Sequence, residues 1–314
     1  MFNFSWMHPI FPKVDDNTRK DFHLSVAKRF EQFHNNILLT QTQLDNGSDR
    51  RKSVIKALNA HYWNSTSETE HSKFVGSRGK FTSIGPPRDV DVLFWLPPSV
   101  YDRFQARTGN IQSQLLQEVK TVLQKKFYST AVKGDGPVVK IPFTTFNVEL
   151  IPAFKLDTGN YWVCFTNDGG SYKTAAYDAE KDAISQSNDS CGGKTRELVR
   201  MMKKWQEHCS VPIKSFWIEL VAIEFLQTWE HRDKGKVYYD YMVRDFLLFL
   251  KNKRFGNVYA PGTYESMYLG DAWYSRADTA HQRAIKACSY ETSDVGAAGD
   301  EWRKIFGNNM PRIP

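Results

Sequence analysis

The spacing of apolar residues predicts two helices at the start of the chain. Over about residues 17–40, apolar side chains recur at three- and four-residue intervals, which is typical of one helix face: Phe22, Val26, Phe30 and Phe33. Side-chain oxygens at residues 15–17 offer N-cap acceptors just before this segment. A Gly-Ser-Asp sequence at residues 47–49 predicts a break, followed by a second helix through about Tyr62.

The pattern then changes to short strands mixed with one helix. Strands are predicted at residues 73–75, 90–96, 138–141 and 146–151, and an amphipathic helix at 110–127. After about Phe165 the predicted elements are helices, near residues 195–208, 215–229, 237–253, 273–288 and 298–306. The sequence therefore predicts an α+β protein with two parts. Residues 1–165, including the N-terminal helices, form a lobe with a small mixed sheet, and residues 166–314 form a helical lobe.

The composition is that of a globular protein that needs no disulfide or structural metal to be stable. The 314 residues are 41% hydrophobic and 25% charged, which is enough for a sizeable core. No apolar run approaches the roughly 18–20 residues of a membrane span, and no signal peptide is evident, so we expect a cytoplasmic protein without a membrane partner. The four cysteines stand singly, which favours reduced thiols over disulfides or a zinc site.

The net charge of +7 and the isoelectric point near 9.0 favour anionic partners. A positive cleft attracts polyphosphates, but the same charge is typical of nucleic-acid surfaces. The charge alone does not separate these two classes of partner.

Three carboxylates carry the candidate chemistry. Asp89 and Asp91 stand two apart in a predicted apolar strand, so both side chains project from the same face. Such a pair repels itself unless a divalent cation is bound between the two charges. Glu149 is a single acid in another apolar strand, where an unpaired charge is costly. Phosphoryl transfer with two metal ions uses this kind of acidic trio, so we predict a catalytic metal site at these three residues.

A Gly-Ser turn precedes the acids. Gly76 lets the backbone approach phosphate oxygens closely, and Ser77 adds a hydroxyl donor. If a helix begins here, its first amides point towards the same anion. Each feature alone has an ordinary explanation, since Asp-x-Asp and Gly-Ser occur by chance and Glu149 could face water. The order of strand, Gly-Ser, Asp-x-Asp and a downstream acid is what indicates a functional site.

These residues resemble a known family. Gly-Ser-Arg-Gly-Lys-Phe-Thr at residues 76–82, Asp-x-Asp at 89–91 and Val-Glu-Leu-Ile-Pro at 148–152 are similar to motifs of polymerase-beta-type nucleotidyltransferases. The resemblance is strongest to the branch that holds cGAS, the oligoadenylate synthases and bacterial DncV-like enzymes. Glu149 departs from the family's usual aspartate, and Phe81 stands where a second glycine is common. The zinc-binding insertion of the animal enzyme is absent.

The resemblance implies an active site in a cleft between the two lobes and adds three nucleotide-binding candidates. Lys203 matches a position that contacts the triphosphate, Ser215 matches its hydroxyl partner, and Phe216 follows where an aromatic residue stacks on a base. It also implies two Mg²⁺ ions, replaceable by Mn²⁺, and NTP substrates that include ATP. The implied product is a cyclic di- or trinucleotide signal, made against phage and bound by a separate effector protein; we expect a monomeric enzyme.

Two other functions remain open at this point. A linear, template-independent transferase, like an oligoadenylate synthase or a terminal RNA nucleotidyltransferase, would use the same acids. A catalytically inactive, nucleic-acid-binding relative would keep the basic charge without turnover. Neither the chosen bases, the linkage, the ring size nor the activating signal can be derived from the sequence.

Overall fold

A seven-stranded mixed sheet forms the centre of the first half of the protein. The computed structural model describes residues 24–314. The strands in chain order are β1 Ser72–Phe74, β2 Asp89–Leu96, β3 Lys133–Asp135, β4 Val138–Pro142, β5 Asn147–Lys155, β6 Tyr161–Phe165 and β7 Ser171–Ala175. Their main order across the sheet is β1-β2-β5-β4-β3, and β6 joins β5 to β7. Only the β2–β5 pair is parallel; the other ladders are antiparallel.

The strand β5 lies at the centre because it has partners on both edges. One edge pairs with β2 from Asn147 to Phe154, while the other pairs first with β4 and then with β6. Pro152, which has no N–H to donate, lies between the last residue paired with β4 and the first paired with β6. The proline is therefore accommodated inside a central strand, where the second edge changes partner.

Three helices cover this sheet, together with a short one after β1. They are α2 Gln41–Tyr62, α3 Gly76–Lys80, α4 Pro98–Gln105 and α5 Ile111–Lys126. The apolar face of α5, including Leu115, Val119 and Leu123, is fully buried against the sheet, as its periodicity predicts. Asn110 caps α5 by accepting a hydrogen bond from the amide of Ser113 at 2.8 Å.

The predicted break at residues 47–49 is wrong, because α2 continues through it. Thr40 caps the helix in a capping box with Gln43, so the helix starts well before the glycine. Ser48 donates its hydroxyl to the carbonyl of Leu44, one turn back. A Cβ built at Gly47 would make an ordinary contact with a methyl group of Val90 in β2 at 3.9 Å, so α2 packs beside the sheet at this residue. Local propensity is overridden here by tertiary packing.

Helices dominate the second half. They are α6 Tyr177–Ser190, α7 Lys194–His208, α8 Ser215–Thr228, α9 Tyr239–Asn252, α10 Tyr274–Tyr290 and α11 Val295–Phe306, with the hairpin β8 Asn257–Tyr259 and β9 Ser266–Tyr268 between α9 and α10. The fold class of small mixed sheet plus helices is confirmed. The strand β7, the helix α6 and the hairpin were not predicted. The residues of β7 are mostly exposed, so no buried alternation marks the strand in the sequence.

The first described helix, α1 Leu24–Ile37, packs into the helical half and not against the sheet. Phe30 meets Trp302 edge-to-face at 5.2 Å between ring centroids, and Phe33 lies 4.7 Å from Phe306. The strand β7 extends the sheet to Ala175, and the domain boundary at residue 165 stays a prediction. The predicted N-cap at residues 15–17 and Phe22 lie outside the described residues. None of the described helices has the length and apolar character of a membrane span.

Candidate active site

The three predicted acids lie together because of strand register. Asp89 and Asp91 project from one face of β2, and Asp91 lies directly opposite Glu149 on the parallel strand β5. Asp89 lies opposite Asn147, whose side-chain amide donates to Oδ1 of Asp89 at 2.7 Å. Two neighbouring strands thus bring the three carboxylates together on one face of the sheet, as a site for two metal ions requires.

The backbone of Gly76 packs directly against the carboxylate of Asp91. A Cβ built at Gly76 would lie 2.1 Å from Oδ2 of Asp91, and the residue has φ +54°. Both facts require glycine, because an L side chain is strained at this φ and has no space. The amide of Val75 donates to the carbonyl of Asp91 at 3.1 Å, which ties the turn to the strand β2. The Gly-Ser turn is therefore packed against the Asp91 carboxylate.

The helix α3 begins at Gly76, where the sequence allowed for one. The hydroxyl of Ser77 lies 3.0 Å from the hydroxyl of Ser83, and the carbonyl of Ser77 accepts from the amide of Thr82 at 2.9 Å. The helix ends at Lys80, and the C-cap residue Phe81 adopts the left-handed conformation with φ +60° and is exposed. The positive φ of Phe81 explains why glycine would suit this position. In this chain the aromatic ring of Phe81 lies 5.2 Å from the guanidinium carbon of Arg196.

The Asp91 carboxyl is buried beside two like charges. Burial first, and then the charges of Glu149 and Asp89, raise the pKa of this carboxyl to about 6. The ammonium groups of Lys80 and Lys203 act in the opposite direction. A divalent cation at this place would favour the ionised form of Asp91 and relieve the repulsion.

Lys140, which the sequence reasoning missed, provides a positive charge at this site. Its ammonium lies 2.9 Å from Oε1 of Glu149 and 3.5 Å from Oδ1 of Asp89. Within residues 24–314, no three Asp, Glu, His or Cys side chains already surround a common point as metal ligands. The carboxylates of Asp89 and Glu149 are instead arranged around the ammonium.

The donor set nevertheless fits a hard divalent cation. The acids supply carboxylate oxygens, which are the ligands that Mg²⁺ and Mn²⁺ prefer. The Lys140 ammonium shows that Asp89 and Glu149 can share one positive charge. Asp89, Asp91 and Glu149 are therefore the residues that would hold the metal.

Lys203 is buried in a charged network beneath the Gly-Ser turn. Its ammonium lies 2.6 Å from Oε1 of Glu219 and 2.9 Å from the hydroxyl of Thr82, which itself donates to Glu219 at 2.8 Å. Lys80 contacts the other oxygen of Glu219 at 2.6 Å and Glu180 at 3.1 Å. Two lysines and two glutamates thus join the loop after α3 to the helices α6, α7 and α8.

The protonation states in this network follow from its pairing. Burial opposes ionisation of Glu219, but the charges of Lys203 and Lys80 outweigh it and bring the pKa of the carboxyl to about 2. Burial lowers the pKa of Lys203, partly offset by Glu219. The apolar helix α8 carries two acids, Glu219 and Glu224, and only Glu219 is buried.

Ser215 and Phe216, the other two candidates, begin α8. The Ser215 hydroxyl donates to the side-chain oxygen of Gln206 at 2.8 Å, which ties α8 to α7. Phe216 is half-buried, and the Lys80 ammonium lies 4.4 Å from the centre of its ring. Phe216 therefore lies beside the loop that carries the Gly-Ser turn, whereas the hydroxyl of Ser215 is engaged by Gln206.

Comparisons with known proteins agree with this architecture. A family model described as the Second Messenger Oligonucleotide or Dinucleotide Synthetase domain matches residues 24–188. A probable cyclic nucleotide synthase of Bacillus cereus is 20% identical over 314 residues, covering 96% of this chain and 87% of the relative.

Solved structures of two bacterial proteins have the same fold. CdnC of E. coli MS115-1, solved with ATP, has a TM-score of 0.69 at 17% identity, covering 92% of this chain and 99% of that one. The Vibrio cholerae cyclic AMP-GMP synthase DncV, in complex with the linear intermediate pppA(3′,5′)pG, has a TM-score of 0.63 at 13% identity, covering 95% and 92%.

Proposed function

Because the chain belongs to the family of second messenger oligonucleotide or dinucleotide synthetases, we propose that it joins NTPs into a cyclic oligonucleotide with release of pyrophosphate. The resemblance read from the sequence is thereby confirmed at the level of the family. The observation that supports the reaction most strongly is the register of β2 and β5, which opposes Asp91 and Glu149 and leaves Asp89 on the same face. The protein is accordingly a nucleotidyltransferase and a cyclic nucleotide synthase.

The chain's own residues supply position and charge. The backbone of Gly76 and the hydroxyl of Ser77 would contact the triphosphate beside Asp91. Asp89, Asp91 and Glu149 would hold two Mg²⁺ ions, with Mn²⁺ as a substitute; the ions supply activation of the attacking sugar hydroxyl and stabilisation of the leaving pyrophosphate. Glu149 is the acid that we propose accepts the proton of the attacking hydroxyl.

We propose Lys203, Ser215 and Phe216 as nucleotide-binding residues. The contacts of Lys203 restrict how it can bind a triphosphate. Lys203 donates to Glu219 and Thr82, so it touches a triphosphate only after leaving Glu219. In the present arrangement its charge lowers the pKa of Asp91 and favours the ionised carboxylate. Phe216, beside Lys80, is the candidate for stacking on a base.

The two relatives of known structure support a proposal for the substrates and the course of the reaction. CdnC was solved with ATP, and DncV with a linear dinucleotide that still carries its triphosphate. We propose that this chain likewise uses ATP among its NTPs and first makes a linear intermediate. A second attack of a sugar hydroxyl on the α-phosphate of that intermediate then closes the ring. We propose that the product is a signal against phage that a separate effector protein recognises. We also propose that the enzyme is a monomer.

The test is a product analysis with defined NTP mixtures. Purified protein is incubated with Mg²⁺ and every single NTP, pair and trio, and products are identified by mass before and after phosphatase treatment. A ring has no terminal phosphate, so its mass is unchanged by phosphatase. Products that lose phosphate would favour the linear transferase, and salt-sensitive RNA binding without any product would favour the inactive, nucleic-acid-binding relative.

A further inference from the structure

Lys140 stands in line with the acids across three strands. It lies directly opposite Glu149 in the antiparallel ladder of β4 and β5, and Glu149 lies opposite Asp91 in the parallel ladder of β5 and β2. Directly paired residues project from the same face of a sheet and contact each other. The fold therefore builds a row of one cation and two acids, with Asp89 beside it.

The ammonium of Lys140 occupies the oxygens that a metal ion would use. It contacts Oε1 of Glu149 at 2.9 Å and Oδ1 of Asp89 at 3.5 Å. Asn147 donates to the same Oδ1 at 2.7 Å, so Asp89 is held from two sides. The Lys140 side chain is about a third exposed, which leaves it free to move towards solvent or an incoming anion.

We propose that Lys140 is an internal counter-cation that holds Asp89 and Glu149 before metal binds and makes binding of the divalent ion depend on the nucleotide. This inference rests on the proposed function, since it concerns the same metal site. A metal ion alone must displace the ammonium from both carboxylates. A nucleotide triphosphate brings phosphate oxygens to which Lys140 can transfer its contacts, so metal and nucleotide bind together more tightly than metal alone. Lys140 is thus a positioning residue that acts through the acids.

The test measures Mn²⁺ binding by electron paramagnetic resonance without turnover. Wild type, Lys140→Met, Lys140→Arg and Lys133→Met are titrated with Mn²⁺, each with and without a non-hydrolysable ATP analogue. Lys133 is the matched control, because it lies opposite Lys140 in the ladder of β3 and β4 and is exposed. It makes no ion pair with the three acids in the part of the chain described by the structure.

Removing the ammonium should strengthen binding of Mn²⁺ alone. For partly exposed ion pairs we expect Lys140→Met to bind Mn²⁺ roughly three- to tenfold more tightly than wild type without nucleotide. With the ATP analogue the difference should fall below about twofold, and Lys140→Arg and Lys133→Met should stay near wild type. Equal or weaker nucleotide-free binding by Lys140→Met than by Lys133→Met would overturn the inference.

One further variant separates this inference from the proposed function. If wild type binds Mn²⁺ with the ATP analogue and Asp91→Asn does not, the metal site stands, and the Lys140 result then decides the inference alone. If wild type and Asp91→Asn bind Mn²⁺ equally under both conditions, the acids are not the metal site, and both proposals fail.

Discussion

Replacement of Gly76 by alanine tests whether the turn and Asp91 act as one unit. The new Cβ would lie 2.1 Å from Oδ2 and 2.8 Å from Cγ of Asp91, whereas ordinary contacts begin near 3.4 Å. The carboxylate must therefore move by about 1.3 Å or the turn must withdraw from it. A misplacement of about 1 Å at a catalytic group costs on the order of 100-fold in rate, so we expect Gly76→Ala to lose about that factor in kcat.

A second glycine separates this displacement from simple backbone strain. Gly136, in the turn between β3 and β4, has φ +57°, and a Cβ there would meet nothing within 4 Å. Gly136→Ala should lose about 1–2 kcal/mol of unfolding free energy, because alanine is strained at positive φ. Gly76→Ala should lose at least as much, because the clash with Asp91 adds to the same strain. Only Gly76→Ala should also lose catalysis.

The assay is initial-rate pyrophosphate release with Mg²⁺ and the preferred NTPs, beside urea unfolding of both variants and wild type. Gly136→Ala should keep its rate within about twofold, since its strain lies away from the acids. Activity of Gly76→Ala within about threefold of Gly136→Ala, at equal stability, would show that the close approach to Asp91 does not matter for the reaction.

Two further predictions concern the buried charges. Asp91 has an ordinary pKa of 3.8 and a folded pKa of about 6. The folded state therefore binds more protons between pH 4 and 6, and its stability should fall as pH rises through that window. With chelator present, the unfolding free energy of wild type minus that of Asp91→Asn should drop by about 2–3 kcal/mol from pH 4 to 7; a constant difference would contradict this. Glu219→Gln should lose about 3–5 kcal/mol, because it leaves Lys80 and Lys203 undercompensated. In the same urea titrations Glu118→Gln, a partly exposed partner of Arg103, should lose less than about 1 kcal/mol, and similar losses in both variants would refute the importance of burial.

The acids could be predicted from the sequence because their pattern is local. Asp89 and Asp91 share one face of a strand through the two-residue period alone, and Glu149 stands out as one charge among apolar residues. The parallel register that opposes Asp91 and Glu149 depends on two strands about 60 residues apart, and no local pattern fixes it. The strand register, and hence the convergence of the acids, needed the structure.

The positive residues of the site were harder to predict for a related reason. Lys140 is one of 42 Lys and Arg residues, and only its pairing with β5 identifies it. Lys203 was selected through the family resemblance as a phosphate-binding residue, but its partners Glu219 and Thr82 come from distant segments. The helix α2 shows the same limit, since Gly47 is helical within it despite its low propensity.

The most direct experiment removes both strand aspartates at once. Asp89→Ala combined with Asp91→Ala should yield no nucleotide product with any NTP mixture in Mg²⁺ or Mn²⁺, while circular dichroism and the unfolding transition show an intact fold. Removing two mutually repelling carboxylates should not destabilise the protein. Formation of the wild-type product at the wild-type rate by this double variant would contradict the assignment of the acids as the catalytic site.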